Sequence, residues 1–178
     1  VAASTVLSTE GQSVTLVYVD DTEGWKNVQD STSNVTGNPF LVASGGTETT
    51  SGNFKIHSFT GPGTFTVSNA SSTAAENIVS YMVVAGGASG GASYGGGAGA
   101  GGFREYKGPA DCYTASPLNG NPGGTAVTVT AQAYPIQVGG GGAARPGSPA
   151  QVGAPGNPSV FSTITSTGGG GGGSGVGS

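Results

Sequence analysis

Charged side chains are scarce in this chain. Asp, Glu, Lys and Arg make up 8% of its 178 residues, against about a quarter in an ordinary soluble domain. Five Lys and Arg residues and nine Asp and Glu residues leave a net charge of −4. No basic patch is therefore available for the phosphates of a nucleic acid or for an anionic membrane surface, and we expect neither partner.

Cysteine, histidine and long apolar runs are equally scarce. Cys112 is the single cysteine, which excludes an internal disulfide framework, and a catalytic thiol would need a histidine partner that its surroundings lack. His57 is the single histidine, which excludes a site built from several histidines. No apolar run approaches the roughly 18 residues that a spanning helix needs, so the sequence predicts no membrane insertion.

Two motifs resemble a metal site and a nucleotide site, but the sequence around each of them does not favour that function. Asp20, Asp21 and Glu23 carry oxygen ligands of the kind that Ca²⁺ takes, but a solvated hairpin turn is the commoner role of such a cluster. Residues 97–102 match G-x-G-x-x-G, yet a nucleotide site needs a helix directly afterwards, and residues 103–109 are too short and broken for one. We predict no catalytic residue, metal or cofactor, and no enzyme.

Glycine is abundant instead. It supplies 37 of 178 residues, about three times the ordinary share, and such a chain loses more backbone entropy than usual on folding. Dense backbone hydrogen bonding or association between chains must offset that loss. The glycines expected to be structural are Gly86, Gly87, Gly139, Gly140, Gly141, Gly142, Gly168, Gly169, Gly170, Gly171, Gly172 and Gly173.

Short alternating or β-branched runs indicate strands. Residues 13–19 and 25–28 predict an N-terminal hairpin, while residues 53–67 predict a second hairpin that turns at Gly61-Pro62-Gly63. The run 78–84 predicts one continuous buried strand, after a possible helical turn at 74–76. Further strands are expected over 126–131, 134–138 and 160–165.

No segment shows a helical period over ten residues or more, so the fold class is all-β. We expect a small N-terminal β-hairpin and trimerising segment with a linker over residues 1–45. A glycine-rich, β-sandwich-like domain follows over residues 46–178. The stretch 31–52 has no strand pattern apart from a brief apolar piece, and we assign it to the linker.

An apolar strand runs directly into a glycine tract at three places. The tracts cover residues 86–102, 139–142 and 168–173. If their strands point the same way, the tracts emerge from one end and can pack as extended helices of three residues per turn, the polyglycine II arrangement. Flexible linkers are the alternative, but a position between strands of one domain is poor placement for a linker.

The order of these segments resembles a known family. Residues 59–67 (FTGPGTFTV), 81–87 (YMVVAGG) and 99–104 (GAGGFR) are similar to the opening of the glycine-rich domain common in phage tail and fibre proteins. The resemblance continues at 134–140 and the terminal glycines, and departs at 108–125, which look like a longer insertion. It implies a virion component at the particle surface, outside the cell.

The N-terminal run 12–19, followed by Gly24-Trp25, resembles the closing hairpin of trimeric phage fibre shafts. That resemblance implies a homotrimer in which Val and Leu side chains meet near a threefold axis and cover one another. Other virion proteins and a host-surface glycan or protein are the further partners it implies. The chain begins at Val1 and ends within glycines, so we expect a segment of a longer or processed chain.

Tyr94, Phe103, Tyr106 and Tyr113 lie in or beside glycine tracts, where few bulky neighbours can cover them. Aromatic residues on loops are common recognition groups, so these four are candidate receptor contacts, with packing between tracts as the alternative. The sequence favours a structural and adhesive virion component. A capsid or filament decoration protein without a receptor, or a cellular extracellular filament or surface protein, are the alternatives.

Overall fold

A computed structural model of the protein describes residues 14–22, 25–30, 40–109, 111–147 and 149–175. Backbone contacts divide the chain into two units, Val1–Pro39 and Phe40–Ser178, whereas the sequence placed a boundary after residue 45. The strands are β1 (Val14–Tyr18), β2 (Trp25–Asp30), β3 (Val42–Ser44), β4 (Thr47–Ser51), β5 (Phe54–Ser58), β6 (Gly63–Asn69), β7 (Ile78–Val79), β8 (Tyr81–Val84), β9 (Phe103–Tyr106), β10 (Val127–Thr128), β11 (Ala133–Gln137), β12 (Ser159–Phe161) and β13 (Ile164–Ser166).

All named strands pair in antiparallel fashion. The helical element in the described part of the chain is a single 3₁₀ turn at Ala74–Asn77, as the sequence predicted for that region. The all-β class is therefore confirmed. Among the described residues, no helix has the length and apolar character to cross a membrane.

The first unit contains the predicted N-terminal hairpin. β1 pairs with β2, with a bulge between Thr15 and Leu16. The Tyr18 and Trp25 rings meet edge to face at 5.4 Å, and Asp20 closes the turn by accepting a 2.8 Å hydrogen bond from the Thr22 amide through Oδ1. The Tyr18 hydroxyl donates to Asp21.

The second unit is built on a five-stranded sheet in the order β13-β12-β11-β6-β3. One face of this sheet carries Phe65, Val67, Tyr134, Phe161 and Ile164, all buried. These side chains form one hydrophobic cluster with residues from β8 and β10 and with Val129. The cluster joins the sheet to the β8–β9 and β7–β10 pairs, and the domain has the layered, sandwich-like character that the sequence predicted.

A buried hydrogen bond fixes the end of the sheet from which two glycine tracts start. The Ser166 side chain on β13 is fully buried, and its hydroxyl donates to the Val83 carbonyl of β8 over 2.7 Å. Because a buried carbonyl without a partner is costly, this bond holds the ends of β8 and β13 side by side.

Four local predictions need correction. Residues 42–44 and 47–51 form strands rather than a linker, because Gly45 and Gly46, with φ of 114° and 67°, let the chain bend and pass from pairing with β6 to pairing with β5. β5 pairs with β4 and not with β6, since both edges of β6 are occupied by β3 and β11. The predicted hairpin around Gly61-Pro62-Gly63 is therefore wrong.

The run 78–84 is interrupted, and 160–165 folds back on itself. At Ser80 the strand breaks, because the serine hydroxyl accepts a 2.6 Å bond from the Gly108 amide and donates to Asp111. Beyond the break, Met82 and Val84 are exposed, so the run is not a continuous buried strand. β12 and β13 form a tight hairpin whose turn places Ser162 at a φ of 52°.

Replacing Ile164 by Ala tests the core. Ile164 is 2% exposed, and truncation of such a side chain costs about 2–5 kcal/mol of unfolding free energy. Met82→Ala is the matched control, because Met82 is 66% exposed and surface changes usually stay within about 0.5 kcal/mol. Equal effects in urea denaturation would contradict the assignment of this core.

Candidate functional site: the glycine bundle and its distal turn

Five extended segments leave or return to one end of the second unit and pack together. We call this set the glycine bundle. Its members are tract 1 (85–92), tract 2 (95–102), tract 3 (139–142), tract 4 (151–157) and tract 5 (167–175). Tracts 1, 3 and 5 follow β8, β11 and β13, and tract 2 leads into β9.

Tracts 1 and 2 form a hairpin with a spacing unlike that of a β-ladder. The amides of residues 85, 88 and 91 donate to the carbonyls of residues 102, 99 and 96, over 2.9, 3.0 and 3.1 Å. The bonds recur every third residue, which is the period of the polyproline II conformation. A β-strand would repeat every second residue.

Tract 1 lies at the centre of the bundle. The amides of residues 86, 89 and 92 donate to the carbonyls of residues 157, 154 and 151 in tract 4. The carbonyls of the same three residues accept from the amides of residues 169, 172 and 175 in tract 5. The Gly87 carbonyl accepts from Gly142 of tract 3 over 2.8 Å. Tract 1 thus contacts all four other tracts through its backbone.

The directions of the tracts follow from these bonds. Residue numbers rise together between tracts 1 and 5, so these two run parallel, while tract 4 runs antiparallel to tract 1. Tract 5 also accepts from tract 2 and tract 4 in steps of three residues. Tracts 1, 3 and 5 therefore run outward from one end of the sheets, and tracts 2 and 4 return to it.

Close backbone approach explains why glycine is needed at the contacts. A Cβ added to Gly153 would lie 1.9 Å from the Ser89 carbonyl oxygen, and one added to Gly172 would lie 2.1 Å from the Gly96 oxygen. Gly97, Gly170 and Gly173 face open space, with no atom within 4 Å of an added Cβ. Glycine is thus required on inward positions and replaceable on outward ones, where Ala98 and Ala100 are exposed.

The far end of the bundle carries a strained turn. Tracts 1 and 2 are joined through Ser93 and Tyr94, whose φ angles are 51° and 63°. Consecutive positive φ values suit glycine or asparagine and are costly for a residue such as tyrosine. The Ser93 hydroxyl donates to the Gly147 carbonyl, which ties this turn to the loop between tracts 3 and 4. The Tyr94 side chain is fully exposed. We call Ser93, Tyr94 and residues 143–147 the distal turn region.

The structure places the four aromatic candidates at two separate levels. Tyr94 lies in the distal turn region, whereas Phe103 and Tyr106 lie on β9 at the sheet end of tract 2. The eight residues of tract 2 separate them by roughly 25 Å at the rise of this conformation. The Tyr106 ring stacks on Tyr81 at 6.4 Å, so it packs against the sheets. Tyr94 and the other three aromatic residues do not form one site.

Tyr113 lies within the insertion at 108–125, in a polar cluster between the insertion and β9. Its ring lies under the Lys107 ammonium at 5.7 Å. Burial raises the pKa of the Tyr113 phenol, and the nearby carboxylates of Glu105 and Asp111 raise this pKa further. Glu105 is itself buried and accepts hydrogen bonds from the amide and the hydroxyl of Ser116. Those bonds hold the insertion against β9.

The other residues considered from the sequence as possible metal, nucleotide or catalytic sites are His57, the G-x-G-x-x-G motif, Cys112 and the acidic turn at 20–23. His57 contacts the Gly45 carbonyl through Nδ1 at 2.8 Å, and its ring meets Phe65 edge to face. The G-x-G-x-x-G motif lies in tract 2 and is followed by β9, not by a helix. Cys112 is exposed. Asp20 and Asp21 accept hydrogen bonds within their own hairpin turn, and Glu23 lies outside the described residues. The described part of the chain contains no cluster of three or more metal-ligating side chains.

Two features of the bundle escaped the sequence reasoning. The sequence predicts one tract over residues 86–102, but the chain reverses at Ser93 and Tyr94 and forms two. Tract 4 was not predicted at all, because only two of its seven residues are glycines. Its signal is the three-residue spacing of Gly153 and Gly156 around Pro155, since proline favours the same extended conformation.

Comparisons with known proteins identify one family. A family model described as "Glycine-rich domain" matches residues 58–178, which is more than half of the chain. The protein therefore belongs to the glycine-rich domain family. Comparison with curated proteins and comparison with solved structures each returned no match.

Two alanine substitutions within tract 5 test the packing of the bundle. Gly172→Ala places a methyl group against the Gly96 carbonyl, and forced overpacking of this kind costs about 1–3 kcal/mol. Gly170→Ala meets open space and should leave stability unchanged or raise it by about 0.4–1 kcal/mol, because alanine restricts the unfolded chain.

Chemical denaturation followed by circular dichroism measures both variants. Only one residue lies between the two sites, so composition and position along the chain are matched. If both substitutions are neutral, tract 5 is not packed as described.

Proposed function

We propose that the protein is a structural and adhesive component of a virion surface, a glycine-rich fibre domain that presents a recognition turn to a host cell. The observation that carries the proposal is the exposure of Tyr94 on a strained turn at the far end of the bundle. Backbone strain in a non-glycine residue is retained mainly where the surrounding structure enforces it, and such residues cluster at functional sites. An uncovered aromatic ring suits recognition.

The glycine bundle is well suited to hold such a turn away from the sheets. Its tracts are connected by many backbone hydrogen bonds, so it is a stiff support rather than a flexible linker. The resemblance of residues 53–178 to the glycine-rich domain of phage tail and fibre proteins supports the virion role. So does the scarcity of charge, which leaves no means of binding nucleic acid.

A homotrimeric assembly completes the proposal. The N-terminal hairpin is small, and Leu16, Val17, Tyr18, Val19 and Trp25 are all at least 43% exposed. Successive side chains of β1 point to opposite faces, so the hairpin shows apolar groups on both faces. A lone two-stranded hairpin is marginal in water, and association of three copies would cover these groups. Three copies would also raise avidity for a cell surface without new contacts.

A second candidate function is a particle decoration without a receptor. The outward positions of the bundle favour it, because Gly97, Gly170 and Gly173 face open space and Ala98 and Ala100 add only methyl groups. Such a flank suits spacing or shielding more than recognition. The two candidates differ in whether the purified chain attaches to cells at all.

Substitution of Tyr94 by Asn tests the adhesive role. Asparagine tolerates positive φ, so we expect unfolding free energy to stay constant or rise by up to about 1 kcal/mol, while attachment to cells falls. Flow cytometry of the labelled chain on a panel of bacterial strains measures attachment, and Met82→Ala serves as a surface control. Failure of the unmodified chain to attach to any strain would instead favour the decoration role, and attachment that Tyr94→Asn leaves unchanged would rule out Tyr94 as the recognition group.

Leu16→Asp tests the assembly. Three charges brought together at a threefold contact repel one another and are costly to bury, so the variant should sediment as a monomer where the unmodified chain sediments as a trimer. Met82→Asp adds the same charge at an exposed position of the second unit and should remain trimeric. A monomeric unmodified chain in analytical ultracentrifugation would refute the trimer.

A further inference from the structure

The only charged residue in the glycine bundle and its connecting loops lies near the distal turn. Across residues 85–102, 139–157 and 167–175 the sequence has no Asp, Glu, Lys or His, and Arg145 is the one Arg. The net charge of −4 therefore divides into +1 on this region and −5 on the rest of the chain. Within these ranges, an anion at the far end of the bundle meets a cation and no competing side-chain carboxylate.

Chain connectivity brings the backbone of Arg145 near that of Tyr94. Arg145 precedes Gly147 by two residues, so their Cα atoms lie within about 7 Å of each other. Gly147 is held to the distal turn by the bond from the Ser93 hydroxyl to its carbonyl, and Ser93 precedes Tyr94 directly. A guanidinium on a side chain of this length can therefore lie beside a ligand that contacts the Tyr94 ring.

Arg145 is exposed, and none of the ion pairs among the described residues involves it. The nearest carboxylate along tract 2, that of Glu105, lies beyond the sheet end of the tract. Along tract 2 that separation is roughly three times the Debye length of about 8 Å at physiological ionic strength, so the Glu105 carboxylate does not neutralise the charge of Arg145.

We propose that Tyr94 and Arg145 form a binding site for an acidic glycan. The face of a sugar ring packs on the exposed Tyr94 ring through its apolar C–H groups, and the carboxylate or sulfate of the same or the next sugar pairs with the Arg145 guanidinium. Such pairs are often bidentate, which adds geometric specificity. One cation in this site suits a ligand that offers it a single acidic group and does not suit a nucleic acid, whose binding needs several cations.

This inference rests on the proposed adhesive function and names the ligand class of that same turn. The test measures binding of the full chain, by biolayer interferometry, to polygalacturonate, dextran sulfate, neutral dextran and polyglutamate. The first two probes separate a carboxylate from a sulfate ester. Neutral dextran tests sugar contact without charge, and polyglutamate tests charge without sugar.

We expect binding to at least one of the two acidic glycans, with little or none to neutral dextran and polyglutamate. Arg145→Gln should weaken it by about tenfold or more, because a hydrogen bond to a charged group contributes about 1.5–3 kcal/mol. Tyr94→Asn should weaken it as well. Lys55→Gln removes the same charge from the β4–β5 hairpin, where Lys55 pairs with Glu48, and should change nothing.

Several outcomes overturn the inference. These are absence of binding to both acidic glycans, equal binding to polyglutamate or neutral dextran, and equal losses in Arg145→Gln and Lys55→Gln. Attachment to cells distinguishes this failure from failure of the proposed function. If cells bind the unmodified chain and Arg145→Gln equally well, the adhesive role stands and the acidic-glycan site does not. If the acidic glycans bind but no cells do, the site stands and the adhesive role fails.

Discussion

The architecture of the second unit depends on backbone hydrogen bonds that recur every third residue between glycine tracts. An extended helix of three residues per turn makes no bonds within itself, so its amides and carbonyls need neighbours or water. In the bundle the central tract bonds to all four other tracts. These bonds supply the ordering that a glycine-rich chain cannot obtain from side-chain packing, and they offset its large loss of backbone entropy.

The sheets determine where the bundle starts and which way it runs. β11 and β13 run parallel because each pairs antiparallel with β12, and the Ser166 hydroxyl holds β13 beside β8. Three outward tracts therefore begin side by side, and connections between them must return along the same axis. A side-chain core and a backbone bundle thus meet at one end of the sheets, and the turns that join the tracts lie at the far end of the bundle.

The sequence predicts some of this arrangement and not the rest. Alternation in residues 14–18 and the direct passage from apolar strand to glycine tract are local patterns, and the structure shows strands at those places. Strand pairing depends on residues far apart in the sequence. The Gly61-Pro62-Gly63 turn predicts a β5–β6 hairpin, but β6 pairs with β3 on one edge and with β11 on the other. Tract 4 has too few glycines for its composition to predict an extended glycine tract. The reversal at Ser93 and Tyr94 is also not predictable, because these residue types rarely adopt positive φ.

Amide hydrogen exchange followed residue by residue tests the central claim most directly. Within tract 1 the amides of residues 85, 86, 88, 89, 91 and 92 each donate to a backbone carbonyl, whereas the described residues offer no acceptor for those of Gly87 and Gly90. The account predicts slow exchange at the six bonded amides and fast exchange at the other two, a pattern with a period of three. Uniformly fast exchange, or protection at every second residue, would contradict it.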